Sequence, residues 1–272
     1  MKPTRTIAIT SGKRDVGKTN IATNLAIALK QLGEEVMIFD ANLGVSNVDL
    51  LLGLKAKYNI HHIINGQKRL KDVIIEGPHG IKILSAGSGV RELIHLDNFQ
   101  QLRILEEFED YQGEIDTLIL DTGTGISSDV AFFCNTAQDI IVILSPEPAA
   151  LTSGCDLIKV LFTQYQEKQF KILINLANSA SEALAVFKHL SEAVEKFLQV
   201  SLDYLGFLPK DDSLQRAVKA QRSFLDVYPD STASKSILEL AFKLKEDSKN
   251  SLKGSMQLFL GRLIGGVRDV WI

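Results

Sequence analysis

Ser11-Gly12-Lys13-Arg14-Asp15-Val16-Gly17-Lys18-Thr19 decides the reading of this chain. An apolar run of strand character, Thr6-Ile7-Ala8-Ile9-Thr10, precedes it, and an amphipathic helical pattern, Ile21 to Leu32, follows it. In that context G-x-x-x-x-G-K-[ST] is a phosphate-binding loop, not an ordinary turn. Backbone N–H groups of the loop and the helix N-terminus both favour anionic oxygens. Lys18 would reach the β- and γ-phosphates, and the Thr19 hydroxyl would ligate Mg²⁺.

Outward from the loop, apolar strands and helices alternate. Strands are expected at residues 6–10, 35–39, 81–85, 117–120, 140–144, 171–175 and 204–207, and helices at 21–32, 99–111, 127–136, 151–164, 181–198 and 213–220. Ile140-Ile141-Val142-Ile143-Leu144 is apolar throughout, as in a strand covered on both faces. The alternation predicts a doubly wound α/β fold, a mainly parallel sheet with helices on both faces and ligands at the carboxyl ends of its strands.

Two acidic strand ends belong with the loop. Phe39-Asp40 closes the second strand, and Leu118-Ile119-Leu120 runs into Asp121-Thr122-Gly123-Thr124-Gly125. A carboxylate in either place can hold a metal-bound water or orient an attacking one, so Thr19, Asp40 and Asp121 form the expected Mg²⁺ set. Gly123 and Gly125 give the following loop freedom to respond to a γ-phosphate. Asn175, at the end of Lys171-Ile172-Leu173-Ile174, offers a donor and an acceptor suited to an adenine edge, but from the residues alone turn initiation is the favoured reading. Leu208, Pro209 and Asp211, at the exit of the last strand, would form the other wall of a base pocket.

Composition sets limits. The chain has 272 residues, 45% hydrophobic and 23% charged, enough for one large domain with a sizeable core. A net charge of −3 provides no global field for nucleic acid, and no direct nucleic-acid binding is expected. Cys134 and Cys155 lack metal or redox spacing and read as small core hydrophobes in a reducing compartment. His61 and His62 have no ligand partners at metal-site spacing and read as structural. The start of the chain carries no signal-peptide pattern, and no apolar run approaches a membrane span, so a protein that is cytoplasmic, or bound to a membrane only at its surface, is expected.

The end of the chain differs. Met256, Phe259, Leu260, Leu263, Ile264, Val267, Val270 and Trp271 share one helical stripe. Two readings fit: an interfacial membrane helix, or a last helix packed on the domain. The expected division is an ATPase domain, 1–247, and an amphipathic tail, 248–272, which would contact the membrane through residues 255–272.

Together these segments resemble the MinD/ParA group of P-loop ATPases, and within it the FlhG (FleN, YlxH) family of flagellar-number regulators. The stretches that carry the resemblance are Asp40-Ala41-Asn42-Leu43-Gly44-Val45-Ser46-Asn47-Val48-Asp49-Leu50-Leu51-Leu52-Gly53-Leu54, Asp121 to Ser127, Pro146-Glu147-Pro148, Gly206-Phe207-Leu208-Pro209, Arg216-Ala217-Val218, Gln221-Arg222 and Met256-Gln257-Leu258-Phe259. The resemblance implies ATP/ADP with Mg²⁺ as cofactors, a homodimer formed face to face around two nucleotides, an amphipathic C-terminal helix released to the inner face of the cell membrane, and hydrolysis that resets the cycle. It implies an FlhF-type GTPase, flagellar C-ring proteins or a flagellar transcription activator as partners. It makes Lys13 the signature lysine that crosses to the partner's phosphates, so Lys13, Asp40 and Asn42 become the catalytic candidates. The nucleotide-binding set is then Gly12, Lys13, Val16, Gly17, Lys18, Thr19, Asn20, Asp121, Asn175, Leu208, Pro209 and Asp211.

Three departures stand out. Arg14 and Asp15 replace two glycines of the family loop, and an acid beside phosphates is repulsive. Asn42 replaces the second Asp of an Asp-x-Asp pair, and a carboxamide cannot take a proton. The N-terminal extension by which many members activate the GTPase is expected to be missing. Slow hydrolysis, or a scaffold that no longer hydrolyses ATP, is therefore expected, with a division or DNA-segregation ATPase of the same group as the alternative.

Overall fold

The structure, a computed structural model, describes residues 4–43, 47–87, 97–111, 113–196 and 198–250. Eight strands form one sheet in the order β3-β4-β2-β5-β1-β6-β7-β8. They are β1 (Arg5–Ser11), β2 (Val36–Ala41), β3 (Ile75–Glu76), β4 (Lys82–Leu84), β5 (Thr117–Thr124), β6 (Asp139–Leu144), β7 (Gln169–Ala177) and β8 (Ser201–Pro209). All neighbours pair parallel except β3 with β4. Each of the seven expected strands is present. The two-residue β3 is too short to show in a hydrophobic pattern.

Helices cover both faces: α1 (Lys18–Gln31), α2 (Val48–Leu51), α3 (Ile60–Ile64), α4 (Leu70–Val73), α5 (Asn98–Glu109), α6 (Ser128–Thr136), α7 (Pro148–Tyr165), α8 (Ala180–Glu195), α9 (Asp212–Lys219), α10 (Phe224–Val227) and α11 (Thr232–Asn250). The strands alternate between two cores. Ile7, Ile9, Ile119, Ile141 and Ile143 pack under α1 and α11, whereas Ala8, Leu118, Leu120, Ile140, Val142 and Leu144 pack under α6, α7 and α8. Continuous apolar runs therefore serve both faces at once.

Helix α11 was not expected from the sequence. Its stripe Ala233, Ile237, Leu240, Ala241 and Leu244 is buried, but it is diluted by Lys235, Lys243, Lys245, Glu246 and Asp247 in a segment that reads as a lysine-rich run. The helix starts where the Ala233 N–H donates to Asp211, beyond the carboxyl end of β8. It reaches the amino ends of the strands, where Arg5 donates to the Leu244 carbonyl and Lys171 pairs with Asp247 at 3.0 Å. It runs continuously through residues 247–250, and the tail, 255–272, lies outside the described residues.

Of the two cysteines, Cys134 is buried, which pushes its thiol up to about 12, while Cys155 is only partly covered. His62 closes a capping box with Asn59 at the start of α3. No described helix is long and apolar enough to cross a membrane.

Candidate functional site

The phosphate loop joins β1 to α1 and opens on a cavity of about 1100 Å³ at the carboxyl ends of the strands. Lys13, Val16, Gly17, Lys18, Thr19 and Asn20 line it, with Asn42 on the opposite side. Gly17 caps α1 at φ +84°, no side chain caps the helix, and its first turn carries no acid. The leading N–H groups of a 14-residue helix are thus left to an outside anion. By contrast, α3, α5, α6, α8 and α9 are each capped by a side chain.

Packing fixes the loop. A Cβ on Gly12 would overlap the Ser153 carbonyl of α7, and one on Gly17 would overlap the Asn175 amide. The Asn175 amide donates to the Val16 carbonyl at 2.8 Å, bracing the loop from below. Asp15 sits at φ +63°, the left-handed region that asparagine and aspartate enter more easily than other non-glycine residues. Arg14 has no positive φ. Only one of the two replaced glycines therefore meets a backbone requirement, and the replacement can adopt it.

Asp40 and Asp121 are both fully buried and are register partners across the β2–β5 ladder. Asp121 was expected at the end of its strand. Instead β5 runs on to Thr124, because Ser11 of β1 pairs with Thr124 and keeps the Thr-Gly-Thr segment extended. Among the described residues neither Asp121 oxygen has a hydrogen-bond partner within bonding distance, and the Lys18 ammonium stands 3.6 Å away. Asp40 accepts from the Asn47, Val48 and Asn42 N–H groups. Burial, then the neighbouring Asp121 charge, pushes the Asp40 carboxyl up to about 7 against those three N–H groups. Burial likewise raises Asp121, with Lys18 pulling the other way. Two adjacent buried carboxyl groups, beside a hydroxyl at Thr19, are a donor set that suits a hard divalent cation.

The expected base pocket is not part of this cavity. Asn175, Leu208, Pro209 and Asp211 are absent from its lining. Leu208 is buried in the core, and Asp211 caps α9 through the Ser213 N–H. Asn175 lies inside β7, which continues to Ala177, so it initiates no turn. Its amide serves the loop, while its Oδ1 is buried without a hydrogen-bond partner among the described residues.

Lys13 forms an ion pair with Glu147, the residue before α7. Sequence reading did not assign Glu147. Its signals were a place just past the carboxyl end of β6 and in the Pro146-Glu147-Pro148 stretch that carries the family resemblance. Gln215, Val218 and Gln221 of the α9 region also line the cavity, and Gln221 donates to the Leu50 carbonyl at 3.0 Å.

Comparison with known proteins agrees with this architecture. The family described as ParA, NUBPL iron-transfer P-loop NTPase, matches residues 2–245. The antiactivator FleN of Pseudomonas aeruginosa is 37% identical over 97% of this chain and 95% of its own. The flagellum site-determining protein YlxH of Helicobacter pylori is 29% identical over 96% and 90%. Among solved structures, the septum site-determining protein MinD complexed with Mg-ADP from Pyrococcus horikoshii superposes with a TM-score of 0.74 at 22% identity, covering 90% of this chain and 97% of its own. The chain belongs to the ParA/MinD family of P-loop NTPases and, within it, to the FleN/YlxH group.

Proposed function

We propose that this protein is an ATP-binding switch that dimerises with nucleotide at the membrane and regulates flagellar number or placement, with slow hydrolysis. The observation that carries the reading is the uncapped N-terminus of α1, with Lys18 set against the buried Asp121. The names of the relatives, an antiactivator and a flagellum site-determining protein, support the flagellar part.

In this reading the loop N–H groups and Lys18 bind the phosphates of ATP. Thr19, Asp40 and Asp121 hold Mg²⁺, which supplies charge neutralisation at the phosphates when bound. Lys13 is occupied by Glu147 in the single chain, and it must leave that pair to reach a partner's nucleotide. Asn42 positions water but accepts no proton, which keeps turnover slow. The base lies outside the phosphate cavity, toward the Asn175 Oδ1 and the backbone of the 208–211 strand exit, and reaching it requires that region to open. The ATPase domain takes in all of α11, through Asn250 and so past the expected boundary at 247, and the tail meets the inner face of the cell membrane through residues 255–272. Its partners in this reading are an FlhF-type GTPase, flagellar C-ring proteins or a flagellar transcription activator, a reading supported by the relatives' names.

A scaffold without turnover is the second reading, favoured by Asn42 at the water-facing side of the cavity. One experiment separates the two. ATP turnover by the parent protein and by Asn42→Asp is compared with and without anionic vesicles. Slow turnover in the parent that rises in the variant supports the switch. Binding with no turnover in either supports the scaffold.

A further inference from the structure

Residues 55–71 carry Lys55, Lys57, Lys68, Arg69 and Lys71 and no acidic residue, in a chain whose net charge is −3. The fold draws two of these cations together. Lys57 lies 5.1 Å and Lys68 4.5 Å from the centre of the Tyr58 ring. Neither lysine forms an ion pair with a carboxylate among the described residues. Arg69, in contrast, pairs with Glu107 at 3.2 Å and Asp110 at 2.6 Å. Two ammonium groups held at one aromatic ring without an acid repel each other, and an arriving anion relieves that repulsion. The Tyr58 phenol is lowered by the Lys57 hydrogen bond and by both charges, as expected where negative charge is favoured.

The platform beneath them is built, not a loose loop. Asn59 and His62 cap α3 reciprocally, and the His62 ring stands edge-on to Tyr58 at 5.1 Å. The Lys68 N–H donates to the His62 carbonyl at 3.1 Å, and the Ile60 N–H to the Ser85 carbonyl at 3.0 Å. Ile60, Ile63 and Ile64 are sunk in the core, and Arg103 donates to the Ile63 carbonyl. The cations are therefore presented in place before any ligand arrives.

We propose that Lys57, Tyr58 and Lys68 form a docking site for an acidic segment of a partner protein. Carboxylate side chains of that segment pair with the two ammonium groups, and the phenol hydroxyl donates to one of them. An acidic protein segment suits the patch better than nucleic acid. Nucleic-acid binding draws on a track of many phosphate contacts and on open aromatic faces, whereas Tyr58 has cations at its ring. On the proposed function a bilayer is met elsewhere, through residues 255–272. The patch lies beyond the carboxyl end of β4, whereas α11 delivers the chain to the amino ends of the strands.

The test is fluorescence anisotropy of the full-length protein with a labelled oligo-glutamate peptide at low salt, where surface charge is least screened. Lys57→Glu/Lys68→Glu is compared with Lys159→Glu/Lys188→Glu, two exposed lysines of α7 and α8 that give the same change in net charge. Unaltered thermal unfolding and ATP binding in both variants verify that the fold is intact. The proposal predicts roughly tenfold or greater loss of peptide affinity in the first variant and little change in the second. No peptide binding by the parent, or equal loss in both variants, overturns it. So does tighter binding of an oligo-thymidine or of phosphatidylglycerol vesicles that depends on the same two lysines.

Discussion

Asp40 and Asp121 stand side by side on neighbouring parallel strands, both without solvent exposure, with one ammonium group, Lys18, at 3.6 Å from Asp121. The ligand-free protein therefore carries a carboxyl, Asp40, whose affinity for protons is raised to about 7 from an ordinary 3.8. The folded state binds a proton that the unfolded chain releases near its ordinary value. This contribution to stability is present in full at low pH and is lost as pH rises through about 7. Thermal unfolding of ligand-free protein from about pH 5 to about pH 8 is predicted to show falling stability. Asp40→Asn is predicted to flatten that slope, and Mg²⁺ with ADP is predicted to restore stability at the alkaline end. An equal slope in parent and variant would remove Asp40 as the source.

Gly12 is constrained by packing. Its Cβ would overlap the Ser153 carbonyl, which is backbone of α7 and cannot rotate away. Gly12→Ala is predicted to destabilise the protein by about 1–3 kcal/mol, the usual cost of overpacking, measured by denaturant unfolding. Retention of full stability would mean that α7 shifts freely.

Asp15 holds a left-handed backbone next to the phosphate site. Asp15→Gly is predicted to keep the fold and to tighten ATP binding severalfold, because it removes a negative charge and the steric cost together. Asp15→Val is predicted to destabilise by roughly 1–2 kcal/mol, since a branched side chain resists that conformation. Calorimetric titration with ATP and melting curves check both.

The Lys13–Glu147 pair is partly exposed, so breaking it costs little stability, about 0–1 kcal/mol. Its consequence lies in the oligomeric state. Glu147→Gln is predicted to favour the ATP-bound dimer, because Lys13 no longer has to leave an ion pair to cross over. Sedimentation velocity with ATP and Mg²⁺ reads this directly, and an unchanged or weakened dimer would count against a crossing Lys13.

The sheet was legible because buried parallel strands are apolar end to end, as Ile140–Leu144 is, and because the loop, helix and strand ends recur in order. What escaped reading depended on neighbours distant in sequence. Thr122-Gly123-Thr124 has loop composition, yet β1 pairs with it and makes it strand. Asn175 reads as a turn or base contact, yet its amide is spent on Val16, 159 residues away. Glu147 acquires a role only when Lys13 lies against it. Helix α11 hides a buried stripe among lysines, and its packing on α1 and β8, not its composition, makes it a helix.

The measurement that bears most directly on the account is binding of ATP with Mg²⁺ by the parent protein and by Lys18→Ala, with oligomeric state recorded in the same samples. The account predicts saturable binding with dimer formation in the parent, and loss of both in Lys18→Ala at matched thermal stability. Equal binding in the two proteins would contradict it, because the uncapped helix and its lysine would then not be the site.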